Sequence, residues 1–68
     1  MADRTYKIIE LVGISEESFS DAVDNAIARA DQTLNDLSWF EVEEERGSVS
    51  DGNVREYQVK VKVAFELD

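Results

Sequence analysis

Ser50-Asp51-Gly52-Asn53-Val54-Arg55-Glu56-Tyr57-Gln58-Val59-Lys60-Val61-Lys62-Val63-Ala64-Phe65-Glu66-Leu67 decides how this chain folds. Asp-Gly supplies the positive φ angles that a tight hairpin turn needs, so Ser50 to Asn53 reads as the turn. The run after it alternates with period two. Tyr57, Val59, Val61, Val63, Phe65 and Leu67 share one face; Glu56, Gln58, Lys60, Lys62, Ala64 and Glu66 share the other. That is a strand with one buried face. The strand before the turn starts near Ser38, with Phe40 and Val42 on one side and Trp39, Glu41, Glu43 and Glu45 on the other.

Further upstream, Phe19, Ala22, Val23, Ala26, Ile27, Ala30, Leu34 and Leu37 form one helical stripe. Ser15 is the expected N-cap, with Glu16 and Glu17 in a first turn where acidic groups suit the helix dipole. The helix is expected to end near Leu34 or Asn35. Before it, Arg4 to Val12 is rich in β-branched and aromatic residues and is closed by Gly13, which reads as a strand. The order is β-α-β-β. The last strand takes the centre of a three-stranded antiparallel sheet, and the helix covers its apolar face. The whole chain, 1–68, is one α+β domain.

Size and composition narrow what such a domain can do. A domain of about 60 residues buries only about 60% of the surface its unfolded chain exposes. The chain has 68 residues, no cysteine and no histidine, so neither disulfides nor thiolate or imidazole metal sites can support it. Oligomerisation is the remaining support. The net charge is −9, from 16 acidic and 7 basic residues. That balance argues against nucleic acid and anionic membrane surfaces as partners. It suits a strongly solvated surface of the kind found in salty habitats. Subunits so charged should repel one another less as salt is added, so assembly is expected to depend on salt. Met1-Ala2-Asp3-Arg4 leads into no long apolar run, so no signal peptide is expected and a soluble cytoplasmic protein follows.

The sheet itself points to a shared site. Trp39 falls with the glutamates on the face away from the helix. It is a contact site, a surface covered by another subunit, or a side chain turned inward by a local bulge. The hairpin strands, 11 or 12 residues each, run about 37–40 Å, whereas a helix of about 20 residues covers about 30 Å. The tip, Arg46 to Val54, then projects and should rest on a neighbour. If Ser50 faces Asn53, Trp39 faces Ala64 and Gln58 faces Glu45. Trp39 and Gln58 are then about 20 Å apart on one outer face, too far for one small ligand in one subunit. Simple alternation puts Arg46 on the Phe40 face, beyond the helix.

Enzyme signatures are not found. There is no glycine-rich nucleotide fingerprint and no Ser/His or Cys/His pair. Glu41, Glu43, Glu44 and Glu45 could line a cation site in an assembly, since hard cations prefer oxygen; a solvated face is the simpler reading.

Tyr6-Lys7-Ile8-Ile9-Glu10-Leu11-Val12-Gly13-Ile14-Ser15, Ser38-Trp39-Phe40-Glu41-Val42, Arg46-Gly47, Glu56-Tyr57-Gln58-Val59 and Val63-Ala64-Phe65-Glu66-Leu67 together resemble the dodecin family over nearly the whole chain. The resemblance implies a β-α-β-β subunit assembled into a hollow homododecamer that binds flavin without being an enzyme, for storage, buffering and photoprotection. It implies flavins sandwiched in pairs at a symmetry axis, Trp39 stacking on the isoalloxazine and Gln58 hydrogen-bonding its polar edge. Arg46 and, less directly, Lys7 become candidates for the ribityl chain or a phosphate; an intersubunit salt bridge is the other reading of Arg46. Glu66 resembles the residue of salt-loving archaeal members, which implies riboflavin in preference to flavin mononucleotide (FMN). Two other readings remain open: a small oligomeric protein-interaction module without flavin, and an enzyme using flavin as a redox cofactor.

Overall fold

The computed structural model describes residues 3–67; Met1, Ala2 and Asp68 lie outside the described residues. Four elements follow in the expected order: β1 (Thr5–Ser15), α1 (Phe19–Asp31), β2 (Leu37–Ser50) and β3 (Asn53–Leu67). The sheet is antiparallel with β3 in the centre, β1 on one side and β2 on the other. Asp51 and Gly52 both have positive φ, 52° and 76°, so the Asp-Gly turn takes the left-handed backbone its composition demands.

α1 packs on the face formed by Val59, Val61 and Val63, all fully buried. Ala22 and Ala26 complete that core, and Ile9, Leu11, Phe19, Val23, Ile27 and Leu37 pack around it. Phe19 meets Tyr57 edge-on, with ring centroids 4.9 Å apart. Small helix residues bring the two layers close together. A Cβ on Gly13 would stand 2.1 Å from the Ala22 carbonyl oxygen and 2.9 Å from the Ala26 Cβ. Gly13 was expected to end β1, yet the strand runs through it to Ser15. Its glycine serves close approach rather than a turn.

The helix begins at Phe19, where its apolar stripe begins but later than a cap at Ser15 implies, and ends at Asp31, before the expected Leu34 or Asn35. Ser15 stays in β1, opposite Tyr57, and is not the cap. Its hydroxyl accepts from the amides of Glu17 (2.8 Å) and Ser18 (3.4 Å) and donates to Asp21 (2.6 Å). Ser18 is the N-cap, accepting from the Asp21 amide at 3.0 Å, so Asp21 and not Glu16 or Glu17 is the acidic residue of the first turn. At the other end Asp36 takes a left-handed φ of 60°, a conformation that Asp tolerates. It redirects the chain, and Leu37, which also fits the helical stripe, opens β2. The 13-residue helix is therefore about 20 Å long.

The hairpin is longer than its alternation indicated, at 14 and 15 residues. The described chain measures 57 × 20 × 13 Å. β1 pairs with β3 only as far as Tyr57, so the tip from Ser48 to Glu56 is a two-stranded ribbon. Val49 and Val54 on it are 71% and 57% exposed. α1 lies over β1 and β3. It leaves Phe40 and Val42 of β2 open, though both point to its side of the sheet.

Candidate functional site

The register of β2 against β3 organises the face away from the helix. It matches expectation from Trp39↔Ala64 to Val42↔Val61, then shifts by one residue at Glu43. A second shift, which leaves Arg55 of β3 unpaired, restores it before Val49↔Val54. Between the shifts Glu45 faces Val59, and Arg46 faces Gln58. This corrects two expectations. Gln58 is not opposite Glu45, and Arg46 is not on the Phe40 face but on the far face with Trp39 and Gln58. The cause is a β-bulge, which reverses the alternation that follows it. An earlier shift, at Ser38, lets Leu37 point to the core while Trp39 points away from it. That bulge leaves Trp39 outward instead of turning it in.

The far face has an aromatic end. Ala64 of the central strand lies between Ile8 and Trp39 and is only 1% exposed. Across this small residue Tyr6 of β1 meets Trp39 of β2, with centroids 4.8 Å apart and planes tilted by 59°. The Trp39 indole N–H donates to Glu41 at 3.5 Å. Trp39 remains 42% exposed. Tyr6 was not singled out from the sequence; its alternation with Ile8 was the available signal.

About 20 Å away, at 3.3 Å per residue, is a polar end. Arg46 Nε donates to Gln58 Oε1 at 2.7 Å, and Arg46 Nη1 donates to Glu44 at 2.9 Å. Gln58 Nε2 donates to Glu56 at 3.0 Å. Between the two ends lie charges of both signs: Lys62 pairs with Glu43 at 3.4 Å and Lys60 with Glu10 at 4.0 Å. A hydrogen bond from Glu10 in its protonated form, together with the charges of Lys62 and Lys60, holds Glu43 below its ordinary pKa of 4.5, against the cost of desolvation. A carboxylate with a depressed pKa contributes stability above its unfolded pKa, and loses it as pH falls through the folded value. Acidification below about pH 4.5 should therefore destabilise wild type more steeply than Glu43→Gln. Thermal unfolding at neutral and acid pH, at matched salt, checks this; parallel profiles would refute it.

Lys7 lies opposite Phe65 on the helix side of the sheet. A single subunit therefore brings Trp39, Gln58 and Arg46 onto one face and leaves Lys7 on the other. Shallow depressions of about 130 Å³ beside Trp39 and Phe40, and about 200 Å³ between β1 and α1, are smaller than the roughly 300–1,000 Å³ of ligand pockets. Among the described residues no three acidic side chains converge as a metal site. Among the same residues no helix is long and apolar enough to cross a membrane.

Fold and face together define a small α+β binding protein whose aromatic and amide groups stand open on one side of a sheet. The chain belongs to the dodecin family, whose sequence profile matches residues 5–68. It is 49% identical to the dodecin of Thermus thermophilus over 65 residues, which cover 96% of this chain and 94% of that protein. The solved dodecin of Streptomyces coelicolor superposes with a TM-score of 0.96 at 46% identity, covering 100% of this chain and 97% of that one. The calcium dodecin of Mycobacterium tuberculosis is more distant, at 29% identity and a TM-score of 0.83, covering 94% of this chain and 91% of that one.

Proposed function

We propose that this dodecin binds flavin without turning it over, and serves in the cytoplasm to store and buffer flavin and to protect against its photochemistry. One observation carries the reading: Trp39 and Gln58 stand on the same open face, about 20 Å apart along the strands. A flat, electron-poor isoalloxazine suits the exposed indole, and an amide suits its pyrimidine edge. No single ligand of that size spans the gap, so the two groups meet one flavin only when supplied by different subunits. The long hairpin, with its exposed Val49 and Val54, and the open Phe40 and Val42 supply the apolar surface for such an assembly. A homododecamer is the proposed form. A ring covered by Trp39 on one face has little room for a second substrate, which favours storage over redox catalysis.

Riboflavin is the preferred ligand. Glu66 faces Tyr6 beside the Trp39 cluster, and Glu44 sets a carboxylate against Arg46. With a net charge of −9, the subunit offers a phosphate little to bind. Arg46 belongs to the site through Gln58, and Lys7 could reach it only from another subunit. The mycobacterial relative's name carries calcium; within one subunit of this chain the described acidic side chains do not converge. A fluorescence titration of the native oligomer at high salt tests the reading. Riboflavin emission should be quenched to saturation near one flavin per subunit, with FMN bound more weakly. Absence of quenching would favour a protein-interaction module, and tighter binding of FMN would overturn the preference alone.

A further inference from the structure

The amide of Gln58 is held by a donor on one side and an acceptor on the other. An arginine Nε–H can only donate and an ionised carboxylate can only accept. Arg46 Nε at 2.7 Å therefore fixes Oε1 toward β2, and Glu56 at 3.0 Å draws Nε2 along β3. Arg46 is itself anchored by Glu44 at 2.9 Å. The four groups form a chain across the sheet: Glu44, Arg46, Gln58, Glu56. One lone pair on Oε1 and one N–H on Nε2 remain, presented in a single donor–acceptor order. Two compensating register shifts bracket this segment and put Arg46, rather than Glu45, opposite Gln58. A glutamate there would offer an acceptor to the amide and reverse it.

We infer that Arg46 is a positioning residue, which sets the polarity of the Gln58 amide instead of binding a flavin phosphate. The inference rests on the flavin-binding reading above. Nε donates to Gln58 and Nη1 to Glu44, two of the five guanidinium N–H groups, and these two bonds direct the side chain along the sheet toward Gln58. A correctly ordered amide rewards the complementary pyrimidine edge of the isoalloxazine, which riboflavin and FMN share. Loss of Arg46 should then weaken both flavins alike.

The test is a set of matched titrations with riboflavin and FMN on the intact oligomers of wild type, Arg46→Ala, Arg46→Lys, Gln58→Ala and the Arg46→Ala/Gln58→Ala double variant. Arg46→Ala should lower both affinities by the same factor, about ten-fold, as for a hydrogen bond to a charged group. It should add nothing in the Gln58→Ala background. Arg46→Lys keeps the charge without the two-pronged geometry, and should lose affinity for riboflavin as well as for FMN. Selective loss of FMN in Arg46→Ala, its retention in Arg46→Lys, or additive losses in the double variant would overturn the inference. If wild type binds neither flavin, the functional reading fails by itself. A high-resolution crystal structure of ligand-free Arg46→Ala then decides the positioning role. The Gln58 side chain should leave its present rotamer, and an unchanged rotamer would sink the idea.

Discussion

Trp39→Ala should abolish saturable quenching of riboflavin while leaving the oligomer and its secondary structure intact. Trp39 is 42% exposed and belongs to no helix-side core, so its removal opens no cavity beneath α1. What disappears is one flat apolar partner for the ring. A stacked indole that covers about 100 Å² of apolar surface contributes about 2.5 kcal/mol at 25 cal/mol per Å². Aromatic geometry adds about 0.5–1.5 kcal/mol. The sum corresponds to a loss of affinity of more than about a hundred-fold. Trp39→Phe keeps a smaller ring and should fall between. Sedimentation and circular dichroism separate lost binding from lost assembly. Binding that survives in a folded Trp39→Ala oligomer would mean that the flavin does not stack there, and the site would have to be sought elsewhere on the sheet.

Gly13→Ala should be the most damaging single methyl group in the fold. The new Cβ would lie 2.1 Å from the Ala22 carbonyl oxygen, an atom of the helix backbone that cannot rotate away. It would also press on the Ala26 Cβ at 2.9 Å. Relief requires α1 to lift off β1, and the Ala22–Ala26–Val59–Val61 layer would open with it. Overpacking of this kind costs about 1–3 kcal/mol and sometimes more. Here backbone rather than side chain must move, so about 3 kcal/mol is expected. Stability of about 0.05–0.15 kcal/mol per residue leaves a chain this short little reserve. Thermal unfolding at matched subunit concentration should show a melting temperature lowered by more than about 10 °C. A shift of only a few degrees would mean that the two layers are less rigidly fixed than their spacing implies.

The sequence by itself determined the element order, the Asp-Gly turn, the central place of β3, the burial of Val59, Val61 and Val63, and the outward direction of Trp39. These follow from local rules: side chains alternate along a strand, and a two-residue turn needs left-handed backbone. The same local rules misplaced the helix ends. Ser15 and Ser18 are chemically equivalent caps, and Leu37 fits the helical stripe as well as it fits a strand. Which serine caps α1 depends on how far β1 pairs with β3. Only the tertiary structure decided the far face. The bulge at Glu43 has no composition signal, yet it moves Arg46 from one side of the sheet to the other and gives Gln58 its partner. Tyr6 meets Trp39 only because Ala64, from a third strand, is small enough to let the rings close over it. A bulge satisfies the twist and packing of a whole sheet, and a contact between non-adjacent strands depends on what lies between them. Neither is written in the neighbourhood of any one residue.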